Sequence, residues 1–333
     1  MRYGFKFYTM KKRKESINKF IVDFLRTINI RDIKDGAIGL REKSKKNYTE
    51  FQKAWMAYEN HVNMEIYFND LDKRQVDHFK YWLLEVKKYS TNTAGRHFGT
   101  LKTLVSEAKK CDIKVHKYAK YIKGFYKPKI QLTINTLNSD EILRICKLSL
   151  NNPSLENARK WMIIGVFIGQ RISDLLNITE KNIRKSKILG YYIDLTQQKT
   201  GHKITIGVAN PYVIKIIETG LPNKIHDRLF NKQMRQILEL AGITQMVQGY
   251  KFCNKTKRRV LGVYKKCDIM ASHDLRRSFA TNYYGKIETP IIMRMTGHSR
   301  ENNFLRYIGA SENLDYIADT FISKLASLDA HDS

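Results

Sequence analysis

Arg171, Lys199, His273, Arg276, His298 and Tyr307 are polar residues set into otherwise apolar patterns, and their types suit chemistry on a phosphate. In GQRISDLLNIT, Gly169 breaks a buried stretch, and Ile172, Leu175 and Leu176 resume an apolar face. Arg171 therefore stands at the margin of a core beside a helix start, where a guanidinium is costly unless it meets an anion. That anion could be a local acid, Asp174 or Glu180, or a ligand. Lys199 lies in QQKTGHK at an expected hairpin tip, from which an ammonium reaches outward, although lysines are also ordinary there. In SHDLRRSFATNYY, Ser272 is the expected N-cap and Leu275 and Phe279 the core contacts. His273 and Arg276 are three apart and share the first-turn face, where the helix dipole favours a negative ligand; Asp274 or a later acid could neutralise them instead. In TGHSRENNFLRYIG, Thr289 and Pro290 open a short helix that Gly297 closes, His298 occupies the turn, Ser299 is the expected next cap, and Tyr307 rides the following helix. Alone, such a tyrosine is ordinarily a core or interface residue.

The 333-residue chain carries 60 Lys and Arg against 32 Asp and Glu, a net charge of +28 that calls for an anionic partner. The charge is spread along the chain and not gathered in one amphipathic helix, which favours nucleic acid over a membrane surface. The longest apolar run, Trp161 to Ile168, falls short of the roughly 20 residues that cross a bilayer, and MRYGFKFYTMKKRKES lacks a signal peptide's apolar core. A soluble, cytoplasmic protein is expected. Cys111, Cys146, Cys253 and Cys267 have no CxxC spacing, so they read as reduced thiols and neither a zinc site nor a disulfide framework is expected.

The elements that must position these residues fall into two domains. Helical stripes recur from Glu15 to Ile28, at Tyr48, Phe51, Trp55 and Tyr58, at Val76, Phe79, Trp82, Leu83 and Val86, and at Phe98, Leu101, Leu104, Val105 and Ala108. They predict a helical bundle over residues 1–122. A basic linker, 123–132, precedes a second domain at 133–333, whose first helix starts at Asn138 with Asp140 and Glu141 in its first turn. There Ile188 to Leu195, a turn at Thr200 and Gly201, and alternating Ile204, Ile206 and Val208 predict one small antiparallel sheet. After Pro211 the pattern reads as mainly helical, with no further sheet expected. The expected class is mainly α: a helical bundle plus a mostly helical α+β domain. Lys43, Lys45, Lys46, Arg96, Lys102, Lys127 and Lys129 are candidate phosphate contacts, with a plain solvated helix face as the alternative.

Taken in order, the motifs resemble those of the tyrosine recombinases, the family of phage and transposon integrases and of recombinases that resolve chromosome dimers. Its signature runs Arg, Lys on a β-hairpin, HxxR, His or Trp, then Tyr, and here those positions are Arg171, Lys199, His273 to Arg276, His298 and Tyr307, the last two nine positions apart. The likeness covers residues 132–307; the first domain resembles the family's core-binding domain in architecture alone. Asp174 stands where the family often has Glu, a departure that leaves the catalytic set intact. The resemblance implies that Arg171 and Arg276 hold the nonbridging oxygens, His298 hydrogen-bonds the phosphate, His273 acts as base, Tyr307 attacks, and Lys199 protonates the leaving 5′ oxygen, without metal, ATP or cofactor. It further implies double-stranded DNA as substrate, a tetramer on two duplexes, possible DNA-bending accessory proteins, and docking of the C-terminal helix (Leu314, Ile317, Ala318, Phe321, Ile322, Leu325) on a neighbouring protomer. Packing of that helix on its own domain is the alternative. With about 40 residues ahead of the expected bundle, the further N-terminal domain of larger integrases is not expected. A type IB topoisomerase-like relaxing enzyme and a catalytically silent DNA-binding protein of the same fold are the competing functions.

Overall fold

The computed structural model describes residues 12–32, 36, 38–40, 42–128, 134–310 and 314–329. The chain divides into two compact units, Met1–Ile130 and Gln131–Ser333.

In the first unit, α1 (Ile17–Arg26) starts where the Ser16 hydroxyl accepts the Lys19 N–H at 3.3 Å, and it buries Ile17, Phe20, Ile21 and Phe24. It packs on α2 (Glu42–Val62), whose buried residues include Phe51, Trp55 and Tyr58. Asp72 caps α3 (Lys73–Tyr81), which runs into a π turn at Trp82–Val86, and Ser90 caps α4 (Thr91–Lys110) through the Thr93 N–H. The core is aromatic: the Trp55 and Phe79 ring centroids are 4.7 Å apart, and truncating either ring to alanine should cost about 3–5 kcal/mol. The expected linker begins inside this unit. Phe125 packs edge-on against Phe98 at 5.1 Å, and a Cβ at Gly95 would lie 1.6 Å from the Phe125 carbonyl oxygen, so only glycine permits the approach.

The second unit opens with α5 (Ser139–Lys147), where Asn138 and Glu141 exchange side-chain and backbone hydrogen bonds at 2.9 Å. The central helix α6 (Pro153–Ile168) buries Trp161 to Gly165, Val166 and Ile168, and contacts α5 and the helices that follow. After α7 (Ile172–Leu175) come β1 (Ile183–Lys185), β2 (Tyr191–Thr196) and β3 (Lys203–Val208), an antiparallel sheet with Ile193 opposite Ile206. Helices α8 (Pro211–Glu218) and α9 (Asp227–Leu240) then complete that core.

Here the structure departs from the sequence reading. The stretch after Pro211 is not wholly helical: β4 (Met246–Cys253) and β5 (Arg258–Lys265) pair antiparallel as a second sheet. Most of their side chains are exposed, so neither strand shows the apolar/polar alternation that marks a half-buried strand. The chain continues through α10 (Lys266–Ile269), α11 (Ser272–Tyr283), α12 (Thr289–Thr296), α13 (Glu301–Ile308) and α14 (Leu314–Asp329). No helix among the described residues is long and apolar enough to cross a membrane.

Candidate active site

Arg171 is the N-cap of α7, directly after the segment in which Gly169 ends α6. Gly169 has φ +64°, and a Cβ there would sit 2.4 Å from the Phe279 ring, so the turn that presents Arg171 requires glycine. The guanidinium does not meet Asp174 or Glu180. It donates to Gln197 Oε1 at 3.0 Å, while Asp174 accepts the Gln198 N–H at 3.0 Å.

The helix α11 supplies His273 and Arg276. Its N-cap is Ala271 and not Ser272, because two other groups take the orphan N–H donors. Ala271 N–H donates to the Asp274 carboxylate at 2.9 Å, and Ser272 N–H to Asn231 Oδ1 at 2.8 Å. Asp274 pairs with Arg277 at 3.3 Å, which leaves Arg276 without that neutralising acid. Arg276 is 1% exposed and donates to the carbonyl of Gly169 at 3.0 Å and to that of Thr296.

Gly297, at φ +66°, ends α12 and places His298 in the turn. The next helix is capped at Arg300, one residue beyond the expected Ser299. The single hydroxyl proton of Thr296 goes to the Ile292 carbonyl at 2.7 Å, so Thr296 accepts at 2.8 Å from His298 Nδ1–H. A neutral His298 therefore carries its lone pair on Nε2.

Tyr307 joins the group from α13. Its hydroxyl donates to the His273 carbonyl at 3.4 Å, its ring is 5.2 Å from the His273 imidazole and 5.0 Å from that of His298, and the Arg277 guanidinium lies 5.0 Å over its face. Burial raises the phenol's pKa, opposed by the charges of Arg276 and Arg277 and by a hydrogen bond from Arg276. Desolvation in the cleft, then Arg277, Arg276, Arg171 and Lys199, bring His273 down to about 4, although the residue is exposed. His298 is likewise lowered to about 4 by desolvation and then by Arg276, Arg171, His273 and Lys199. Burial and then Arg171 lower Arg276 to about 10. Lys199 is exposed on the β2–β3 loop, and its charge reaches both histidines. The structure thus brings Arg171, His273, Arg276, His298 and Tyr307 into one neighbourhood, with Lys199 on the adjoining loop.

Three residues missed in the sequence belong to it. Gln197 is fully buried; besides Arg171 it accepts the Thr200 hydroxyl at 3.0 Å, and its amide donates to Gln170 Oε1 at 3.3 Å. Gln170 in turn donates to the Met295 carbonyl at 2.8 Å, so this chain of amides ties the start of α7, the hairpin and the end of α12 together. A Cβ on Gly297 would lie 2.2 Å from Gln197 Oε1. Arg277 and Thr296 are the other two. Nothing in QQKTGHK separates a buried glutamine from a surface one, whereas the doubled arginine of HDLRR did offer a signal for Arg277.

The candidate phosphate contacts of the first unit stand on its surface. Lys43, Lys46, Lys102 and Lys127 are exposed, Lys45 is half-buried and pairs with Glu42, and Arg96 reaches Glu50 at 3.1 Å; Lys129 lies outside the described residues. The cysteines are free, and no cluster of His, Cys, Asp and Glu able to hold a metal occurs among the described residues.

The family model of the phage integrase family matches residues 135–313, more than half of the chain. The chain belongs to the phage integrase family. The model of the phage integrase SAM-like domain matches residues 21–130, most of the first unit. None of the curated proteins compared with the chain matches it. Among solved structures, a lambda integrase dimer bound to a COC′ core site is similar at 16% identity and TM-score 0.61, over 89% of this chain and 78% of that one. The XerH site-specific recombinase bound to palindromic difH substrate is similar at 14% identity and TM-score 0.58, over 92% and 94%. The Tn1549 transposon integrase in complex with a circular intermediate DNA is similar at 12% identity and TM-score 0.57, over 88% and 94%. At these identities the likeness is one of fold. As a member of the phage integrase family, the chain is a site-specific tyrosine recombinase, an enzyme that cleaves and rejoins DNA.

Proposed function

We propose that Tyr307 is the nucleophile and that it forms a 3′-phosphotyrosyl bond with DNA, releasing a 5′ hydroxyl. The observation that carries this reading is the phenol's position between the imidazoles of His273 and His298, with the Arg277 guanidinium over its ring and its hydroxyl on the His273 carbonyl. His273, neutral above about pH 4, is free to take the phenolic proton as Tyr307 attacks phosphorus. Arg171 and Arg276 present planar forks to the nonbridging oxygens, where charge grows in the transition state. His298 hydrogen-bonds the same phosphate, and Lys199 gives a proton to the departing 5′ oxygen. The ester's energy is kept in the phosphotyrosine, so a second strand's 5′ hydroxyl reverses the step without ATP, and these side chains supply the charge without a metal ion.

Strand exchange requires four such centres, and we read the acting form as a homotetramer on two duplexes in the cytoplasm, assisted where site geometry demands it by DNA-bending proteins. The exposed apolar residues of α14, Phe321, Ile322 and Leu325, fit a helix that docks on a neighbouring protomer; the side chains of Leu314 and Ile317 lie outside the described ones. Lys43, Lys46, Lys102 and Lys127 serve as phosphate contacts on the first unit.

The test is a nicked duplex that traps the adduct. The wild-type protein should give a protein–DNA species stable to detergent and Tyr307→Phe none; an undiminished adduct from Tyr307→Phe overturns the assignment.

A further inference from the structure

We propose that β4 and β5 form a basic ribbon that grips the phosphate backbone of duplex DNA beside the scissile linkage. From Met246 to Lys266 the chain contains lysines and arginines but no acid. Three of its cations are spoken for: Lys251 pairs with Asp268 at 2.7 Å, Lys265 with Glu239 at 3.0 Å, and Lys266 is buried against Glu141 at 2.7 Å. The cations at the tip are not. Lys255, Lys257, Arg258 and Arg259 are exposed, and none makes an ion pair among the described residues.

The root is firmly held. Gly249 is buried so close to Ile269 that a Cβ would lie 2.4 Å from its side chain, and the Lys266 N–H donates to the Gln245 carbonyl at 2.9 Å. A stiff base carrying an uncompensated positive end is a poor way to stabilise a fold, since like charges at the tip repel. It is an effective way to meet a polyanion. The ribbon's root also leads directly to the site, because β5 runs through α10 into α11, the helix that carries His273 and Arg276. Phe252, directly opposite Arg259 in the ladder and therefore on its face, is 54% exposed. Strands of eight residues extend about 26 Å, and a two-stranded ribbon fits a major groove about 12 Å wide, so the tip can reach phosphates on either rim. Long flexible lysines at a turn position the duplex and do not read its bases.

The inference rests on DNA as partner and not on the assignment of Tyr307. Full-length protein carrying Lys255→Ala, Lys257→Ala and Arg258→Ala is titrated with a fluorescent 40-base-pair duplex over a range of salt, after its melting curve is matched to wild type. The slope of log K against log salt should flatten by about two to three, at roughly 0.9 per phosphate contact, with affinity down at least tenfold near physiological salt. Unchanged slope and affinity overturn the proposal. A photocrosslinking residue placed at Thr256 in otherwise wild-type protein gives a second reading that survives if the triple variant misfolds. Crosslinks to DNA support the ribbon; crosslinks only to a second copy of the chain overturn it. A Tyr307→Phe protein that binds DNA without becoming linked to it bears on the chemistry and leaves the ribbon untouched.

Discussion

Tyr307 sits beside two histidines whose pKa values are lowered to about 4, first by desolvation and then by the cations around them. Bringing a phosphodiester into the cleft reverses that field and raises both. For His298 the hydrogen bond to Thr296 fixes the proton on Nδ1, so donation to a phosphate from Nε2 requires a second proton. Binding of DNA should therefore take up protons, and affinity should strengthen as pH falls toward 4. Calorimetry in buffers of different ionisation enthalpy measures this directly; a binding enthalpy that does not change with buffer would contradict it. Arg276→Ala should remove recombination and cost about 2–4 kcal/mol of stability, because the carbonyls of Gly169 and Thr296 lose their buried donor and a cavity is left. Denaturant titration reads the loss, and a change under 1 kcal/mol would show those hydrogen bonds to be minor. At this scale the sequence was informative about Arg171, His273, Arg276, His298 and Tyr307, since each breaks a local pattern within an ordered series. It was silent on Gln197, whose role depends on burial beneath a glycine of a distant helix.

The end of α12 acts through backbone geometry that one methyl group would disturb. Gly297→Ala must accept a left-handed conformation, at about 1 kcal/mol, and must push Gln197 off Arg171. Its cleavage rate on saturating nicked DNA should fall at least tenfold while the melting temperature drops only a few degrees; a normal rate would detach Gln197 from the chemistry. In α4, His97 is 4% exposed and lies between Phe51 and Tyr89, with a pKa lowered to about 4 by burial and then by Arg96. The unfolded chain, with an ordinary value near 6.5, binds that proton more readily. Stability from this residue is thus fully present above about pH 6.5 and is lost as pH falls toward 4. His97→Leu should flatten the decline in unfolding experiments across that window. The helices of the first unit were legible because each buries one stripe against a common core. The β4–β5 ribbon was not, because with most side chains in solvent neither strand has a buried face to imprint alternation on the sequence.

The whole molecule concentrates positive charge without matching acid, and DNA binding should weaken steeply with salt. Phe321→Asp with Ile322→Asp on α14 should reduce assembly on DNA to species smaller than a tetramer, measured by sedimentation; unaltered tetramers would assign those exposed side chains another purpose. Residues 123–128, expected as the start of a linker, lie in the first unit, where Phe125 finds a place against Phe98. One feature of the cleft reaches beyond catalysis. Arg171 leans on an amide and Arg276 on carbonyl oxygens, so each side chain's full charge waits for an anion. A ligand that binds only the folded form adds RT ln(1 + [L]/Kd) to stability. Sulfate should therefore protect the free chain from heat and proteases, read as a higher melting temperature and slower digestion.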